Sequence, residues 1–86
     1  MAGKKTNRKA LTLEDKQKVY KKIGKRLKEL RDEKGYTAAL SFAYENEIPP
    51  AQYARYEAGS NMKIDSLLKV LNAMDISLAE FFKDFK

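Results

Sequence analysis

The 86-residue chain reads as an all-α domain, on three observations. Apolar residues recur at spacings of three and four rather than two, which is the period of a helix face. Polar capping residues stand just before these runs. No segment alternates apolar and polar side chains as a half-buried strand would.

The first helix is expected over about 13–34. In "TLED", Thr12 is the cap, and Glu14 and Asp15 stand in the first turn, where acidic groups suit the positive end of the helix dipole. Tyr20, Ile23, Leu27 and Leu30 then follow on one face, with Lys, Arg and Glu on the other. This helix is long against a usual length of about 11 residues, so a break before Ile23 is the alternative. Gly35 ends it by taking the left-handed conformation after Lys34. A second, short helix is expected over about 38–45, capped by Thr37. In the turn that follows, Asn46 is the residue that tolerates the left-handed conformation. Pro49-Pro50 disfavours helix before itself, while Pro50 suits the first position of a third helix over about 50–57, stopped by Gly59. A fourth helix over about 65–73 would bury Ile64, Leu67, Leu68, Leu71 and Met74. Ser77 and Glu80 have the spacing of a capping box and open a fifth, short helix with Phe81 and Phe82.

The length allows one small domain. We read residues 1–11 as a disordered basic arm and 12–86 as a single domain. Charged residues make up 35% and hydrophobic residues 43%, which fits a globular chain rather than a disordered one. There is no cysteine and no histidine, so disulfides, thiolate or imidazole metal sites and histidine acid–base catalysis are excluded. No Gly-rich phosphate loop or convergent carboxylate group replaces them, and the chain is not expected to be an enzyme or to need a cofactor. No apolar run approaches the roughly 18 residues of a membrane span, and no apolar stretch follows the basic start as in a signal peptide. A cytoplasmic protein is expected.

The net charge of +6 is unevenly spread. Residues 1–34 hold 13 Lys/Arg against 5 Asp/Glu, whereas residues 35–86 hold 5 against 7. A basic chain favours an anionic partner, most often nucleic acid. Lys4, Lys5, Arg8 and Lys9 would follow a backbone or enter a groove, or serve only as a solubilising tail. Lys18, Lys21, Lys22, Lys25 and Lys28 read as a solvated helix face.

Helices 2 and 3 with their tight turn have the geometry of a helix-turn-helix. Ala43 lets the two helices cross closely and Ile48 plugs the turn. Helical spacing puts Tyr53 and Tyr56 in the core, rather than on a stacking platform for single strands. Pro50, Ala51, Ala54 and Arg55 then face outward, with Gln52 at the edge. Arg55 matches the O6/N7 edge of guanine, Gln52 matches adenine or a phosphate, and Pro50 and Ala51 suit a thymine methyl.

The segments "IGKRLKELRDEKGY", "FAYENEIPPAQYARYEAG" and "IDSLLKVLNAMDISLAEFF" together resemble the lambda-repressor-like, Cro/C1-type (XRE) helix-turn-helix family over about residues 20–82. The signs are Leu30-Arg31, Gly35, Phe42-Ala43, the Arg55-x-Glu57-x-Gly59 run, and Leu67 with the Ile76 to Phe82 tail. The resemblance implies a compact five-helix lambda-repressor-like domain and a sequence-specific regulator that puts helix 3 in the major groove of double-stranded DNA. It also implies a salt bridge between Arg31 and Glu57, docking helix 3 onto helix 1. Phosphates would be held at the start of helix 2, around Thr37 and Ala38, and by Ser60, Asn61 and Lys63 in the loop after helix 3. A homodimer through the C-terminal helix, with Phe82 and Phe85, would set two recognition helices about one DNA turn apart.

The chain departs from the family pattern at four places. Ala38 and Ala39 stand where a phosphate-contacting Gln is usual. The interval from Gly35 to Phe42 is one residue longer. Asn46-Glu47 replaces an apolar residue followed by Gly. Pro49-Pro50-Ala51 opens the recognition helix where polar residues are usual. With the −2 charge of residues 35–86, this donor-poor opening carries an alternative from another class: the fold used as a protein-interaction module, such as an antitoxin.

Overall fold

The computed structural model describes residues 10–83 and 85. It contains five helices and, among these residues, no strand: α1 (Leu13–Glu33), α2 (Ala39–Glu45), α3 (Pro50–Ala58), α4 (Ile64–Ala73) and α5 (Leu78–Phe81). The basic arm residues Lys4, Lys5, Arg8 and Lys9 lie outside the described residues.

Helix α1 is unbroken, so the alternative of a break before Ile23 does not hold. Its start is a complete capping box: the Thr12 hydroxyl accepts from the Asp15 N–H at 3.0 Å, and the Asp15 carboxylate accepts from the Thr12 N–H at 3.1 Å. The Thr12 N–H bond, followed by the Thr12 hydroxyl, holds the Asp15 carboxyl below its ordinary value of 3.8.

Four helices close with the same pair of backbone bonds, in which the residue after the left-handed one donates back across the last turn. The bonds are Tyr36 N–H to Arg31 O (3.1 Å), Ile48 N–H to Ala43 O (2.9 Å), Ser60 N–H to Arg55 O (3.0 Å) and Ile76 N–H to Leu71 O (2.9 Å). Each motif needs one left-handed residue. Gly35 (φ 93°) and Gly59 (φ 101°) fill it in two cases, Glu47 (φ 58°) and Asp75 (φ 58°) in the others. The left-handed residue of the α2–α3 turn is therefore Glu47 and not Asn46. Asn46 is the last half-helical residue (φ −112°), and its side-chain amide donates to Phe42 O at 2.9 Å.

Three further expectations need correction. Thr37 does not cap α2: Ala38 holds the cap position and no side chain bonds the first turn, because the helix starts one residue later than its composition suggests. Ile64 and Leu68 are exposed and Val70 is buried instead. The buried side of α4 is centred between Leu67, Val70, Leu71 and Met74, and at about 100° per residue Ile64 and Leu68 fall on its margin. At α5 the Ser77 hydroxyl accepts from the Glu80 N–H (3.0 Å), but only this half of the capping box forms.

The core unites all five helices: Leu27 and Leu30 from α1, Phe42 and Ala43 from α2, Tyr53 and Tyr56 from α3, Leu67, Val70 and Leu71 from α4, Phe81 from α5, with Ile48, Met74 and Ile76 from the turns. Phe42 lies between Tyr36 and Tyr53, each with its ring centroid 5.0 Å away. The fifth helix is tied to the first by Arg26, whose Nε donates to Phe81 O at 3.2 Å.

Candidate nucleic-acid interface

Helix α3 crosses α1 at very short range, and a glycine makes this possible. A Cβ on Gly24 would lie 2.5 Å from the Glu57 carbonyl oxygen and 2.6 Å from that of Tyr56. One on Gly59 would meet Lys21 Cγ at 2.7 Å. The end of α3 thus rests directly on α1 between Lys21 and Gly24. Gly24 is not among the residues expected to matter from the sequence, although an isolated glycine within a helical pattern is a signal of close approach.

An ion pair fixes the rotation of α3 about this contact. Arg31 Nε donates to Glu57 Oε2 at 2.6 Å and Nη2 donates to Oε1 at 3.1 Å, a two-pronged bridge. Its third nitrogen, Nη1, donates to the Tyr36 carbonyl at 2.7 Å and to Asp32 at 3.3 Å. Arg31 is 3% exposed and the Glu57 side chain 11%. The Glu57 hydrogen bond raises the Arg31 pKa against the opposing cost of burial. Beside the pair sits the Tyr53 hydroxyl, buried and without a protein hydrogen bond of good geometry among the described residues. Burial, and then the neighbouring Glu57 carboxylate, push its ionisation well above the ordinary 10.0.

With Tyr53 and Tyr56 buried, the opposite face of α3 is open: Ala51, Ala54, Arg55 and Ala58 are exposed and Pro50, at the first helical position, is half-buried. Gln52 lies on the flank between this face and α4. It is exposed, and its Nε2 donates to the Tyr56 hydroxyl at 2.6 Å. On that flank a groove of about 340 Å³ is lined by Gln52, Tyr56, Asn61, Met62, Lys63 and Ser66. Asn61 and Lys63 are therefore brought together with Gln52. Ser60 is exposed, but its backbone N–H is already used in closing α3. Thr37 and Ala38 are exposed at the start of α2, away from this groove's lining. Phe82 is exposed and Phe85 half-buried, and both touch the buried Phe81 ring.

The model of a helix-turn-helix family matches residues 27–81, which is most of the chain. The chain belongs to the Cro/C1-type (XRE) helix-turn-helix family. No curated protein and no solved structure matches it significantly. Membership makes this a helix-turn-helix DNA-binding domain, in a family that is typically non-enzymatic. In helix-turn-helix terms α2 and α3 are the paired helices. Among the described residues no helix is long and apolar enough to cross a membrane, and no group of three or more Asp or Glu is placed to hold a metal ion.

Proposed function

We propose that this helix-turn-helix protein is a sequence-specific transcriptional regulator that lays α3 in the major groove of double-stranded DNA. The observation that carries the reading is the exposed face of α3, where Arg55 stands between small residues on a helix clamped at its far side by Gly24 and the Arg31–Glu57 bridge. Small neighbours let the backbone approach base edges, and a clamped helix holds its side chains in register with them. Arg55 reads guanine, Gln52 reads adenine, and Pro50 and Ala51 meet thymine methyl groups. The start of α2 at Thr37 and Ala38, with Ser60, Asn61 and Lys63, holds phosphates and sets the register. Lys4, Lys5, Arg8 and Lys9 add backbone contacts that make binding steeply salt-dependent. A two-fold pairing through Phe82 and Phe85 would present two recognition helices to inverted half-sites.

Selection of bound duplexes from a random library at about 150 mM salt tests the proposal. A short motif is expected, in two inverted halves about one helical turn apart. Arg55→Ala should relax preference at one position, at a cost of about 1–3 kcal/mol in discrimination. Recovery without any motif, or an Arg55→Ala protein with unchanged preference, would overturn it.

A second reading has its own observation. Leu40 and Tyr44, one turn apart on α2, are 58% and 69% exposed. Paired exposed apolar groups beside a donor-poor α3 suit a protein partner, as in an antitoxin. A stable protein complex that forms equally with Arg55→Ala but is lost with Tyr44→Ala would favour it.

A further inference from the structure

We infer that Tyr56 is a positioning residue for base recognition: its hydroxyl holds the Gln52 amide in the orientation that selects adenine. The inference rests on the reading of α3 as a recognition helix. Gln52 and Tyr56 are four residues apart, so their side chains meet on one face of α3. The bond between them is short, 2.6 Å from Gln52 Nε2 to the phenol oxygen. The Tyr56 ring is packed in the core. Its side chain is 6% exposed and its ring packs edge-on against Tyr53, with centroids 6.4 Å apart.

The consequence follows from counting donors and acceptors. A glutamine amide has two N–H groups and one carbonyl oxygen. One N–H is given to Tyr56. When the N–H given is the one anti to the carbonyl, the other N–H and Oε1 remain side by side on the edge that points away from the phenol. A donor next to an acceptor fits the N7 acceptor and N6 amino donor of adenine. Guanine offers two acceptors there, thymine one acceptor and a methyl group, and cytosine one donor. An exposed glutamine without a partner can turn its amide over and rotate about its long side chain, and so suits several bases. The bond to the phenol holds the side chain in one rotamer before DNA arrives, with Nε2 toward the phenol, which lowers the ordering cost of the contact. The same residue lines the groove with Asn61, Lys63 and Ser66.

The test uses the full chain and the duplex motif selected by the wild-type protein, with each position of the motif varied in turn. Gln52→Ala should lower the preference for adenine at one position by roughly ten-fold. Tyr56→Phe removes the hydroxyl and leaves the packed ring in place. It should lower preference at that same position by roughly three-fold or more and leave the other positions unchanged. The double variant should discriminate no worse than Gln52→Ala alone, because both changes act through one contact. Thermal melting of Tyr56→Phe checks that the fold is kept. Equal weakening on every duplex would assign the hydroxyl to a phosphate or to packing and overturn the inference. Unchanged discrimination in Tyr56→Phe beside a relaxed Gln52→Ala would overturn it too, with the recognition-helix reading intact. A wild-type protein that selects no motif would overturn both.

Discussion

The two halves of α1 are continuous helix with very different surroundings. From Lys21 onward it is built into the domain, with Gly24, Leu27, Leu30 and Arg31 buried and the end of α3 resting on its backbone. From Leu13 to Val19 every residue is exposed, including Leu13 at 70% and Val19 at 44%. Both halves satisfy local helix rules. Only the second is held by tertiary packing, and in proteins that packing supplies most helical stability. The free half depends on what lies within it: its capping box, its continuity with the anchored half, and the helix-forming Lys and Gln residues that fill it.

Substitutions should separate the halves by size of effect. The largest is expected at Arg31. Arg31→Ala leaves Glu57 without its partner in a mostly buried place and should cost about 3–5 kcal/mol in chemical denaturation. Adding Glu57→Ala to it should cost much less than a second independent loss, because the stranded charge is gone. Next is Gly24→Ala. The new methyl meets two backbone carbonyls, and the overpacking should cost about 1–3 kcal/mol, partly offset by a helix propensity gain of about 1 kcal/mol. A neutral or stabilised variant would show that α3 can slide along α1.

The Tyr53 hydroxyl sharpens the comparison through pH. Its ionisation is raised in the folded protein, so its contribution is complete below about pH 10 and is lost as pH rises beyond the ordinary value, where the unfolded chain releases the proton first. Tyr53→Phe should flatten the fall in melting temperature above pH 10. Near pH 7 it should change stability little, since it removes no well-formed hydrogen bond. Thr12→Ala should cost about 1 kcal/mol locally. Amide exchange should quicken over the first turns of α1, while the global unfolding midpoint stays close to the wild type. Acid should do the same: Asp15 is held below 3.8, so the cap is complete above that pH and is lost as pH falls through the lowered value. The smallest effect is expected at Val19→Ala, within about 0.5 kcal/mol. A large loss there would mean that the free half is covered in solution.

The contrast also marks what could be read from residues alone. Helix positions set by the chain's own chemistry were legible: the Thr12 start, the ends at Gly35 and Gly59, Pro50 at a first helical position and Ser77 before α5. Features that depend on what lies opposite were not. Ile64 and Leu68 look buried by spacing, but the direction of the core from α4 decides it, and Val70 takes the place. Glu47 is an unfavourable left-handed residue, so the eye goes to Asn46; the turn instead needs the left-handed residue one place after the helix cap. Gly24 is needed only because two carbonyls of α3 stand against it. At the candidate interface, the outward set of Pro50, Ala51 and Arg55 followed from the inward set of Tyr53 and Tyr56. The Gln52–Tyr56 bond did not, because rotamers decide it.

The free half of α1 continues the half that carries α3, since α1 is unbroken and α3 packs on it at Gly24 and Arg31. It therefore acts as a pointer. At 1.5 Å per residue, the tip at Leu13 stands about 16 Å beyond Gly24. A tilt of α3 too small to see at its own ends is magnified at that tip. A spin label or fluorophore at Gln17, which is exposed, would convert the orientation of α3 into a measurable distance.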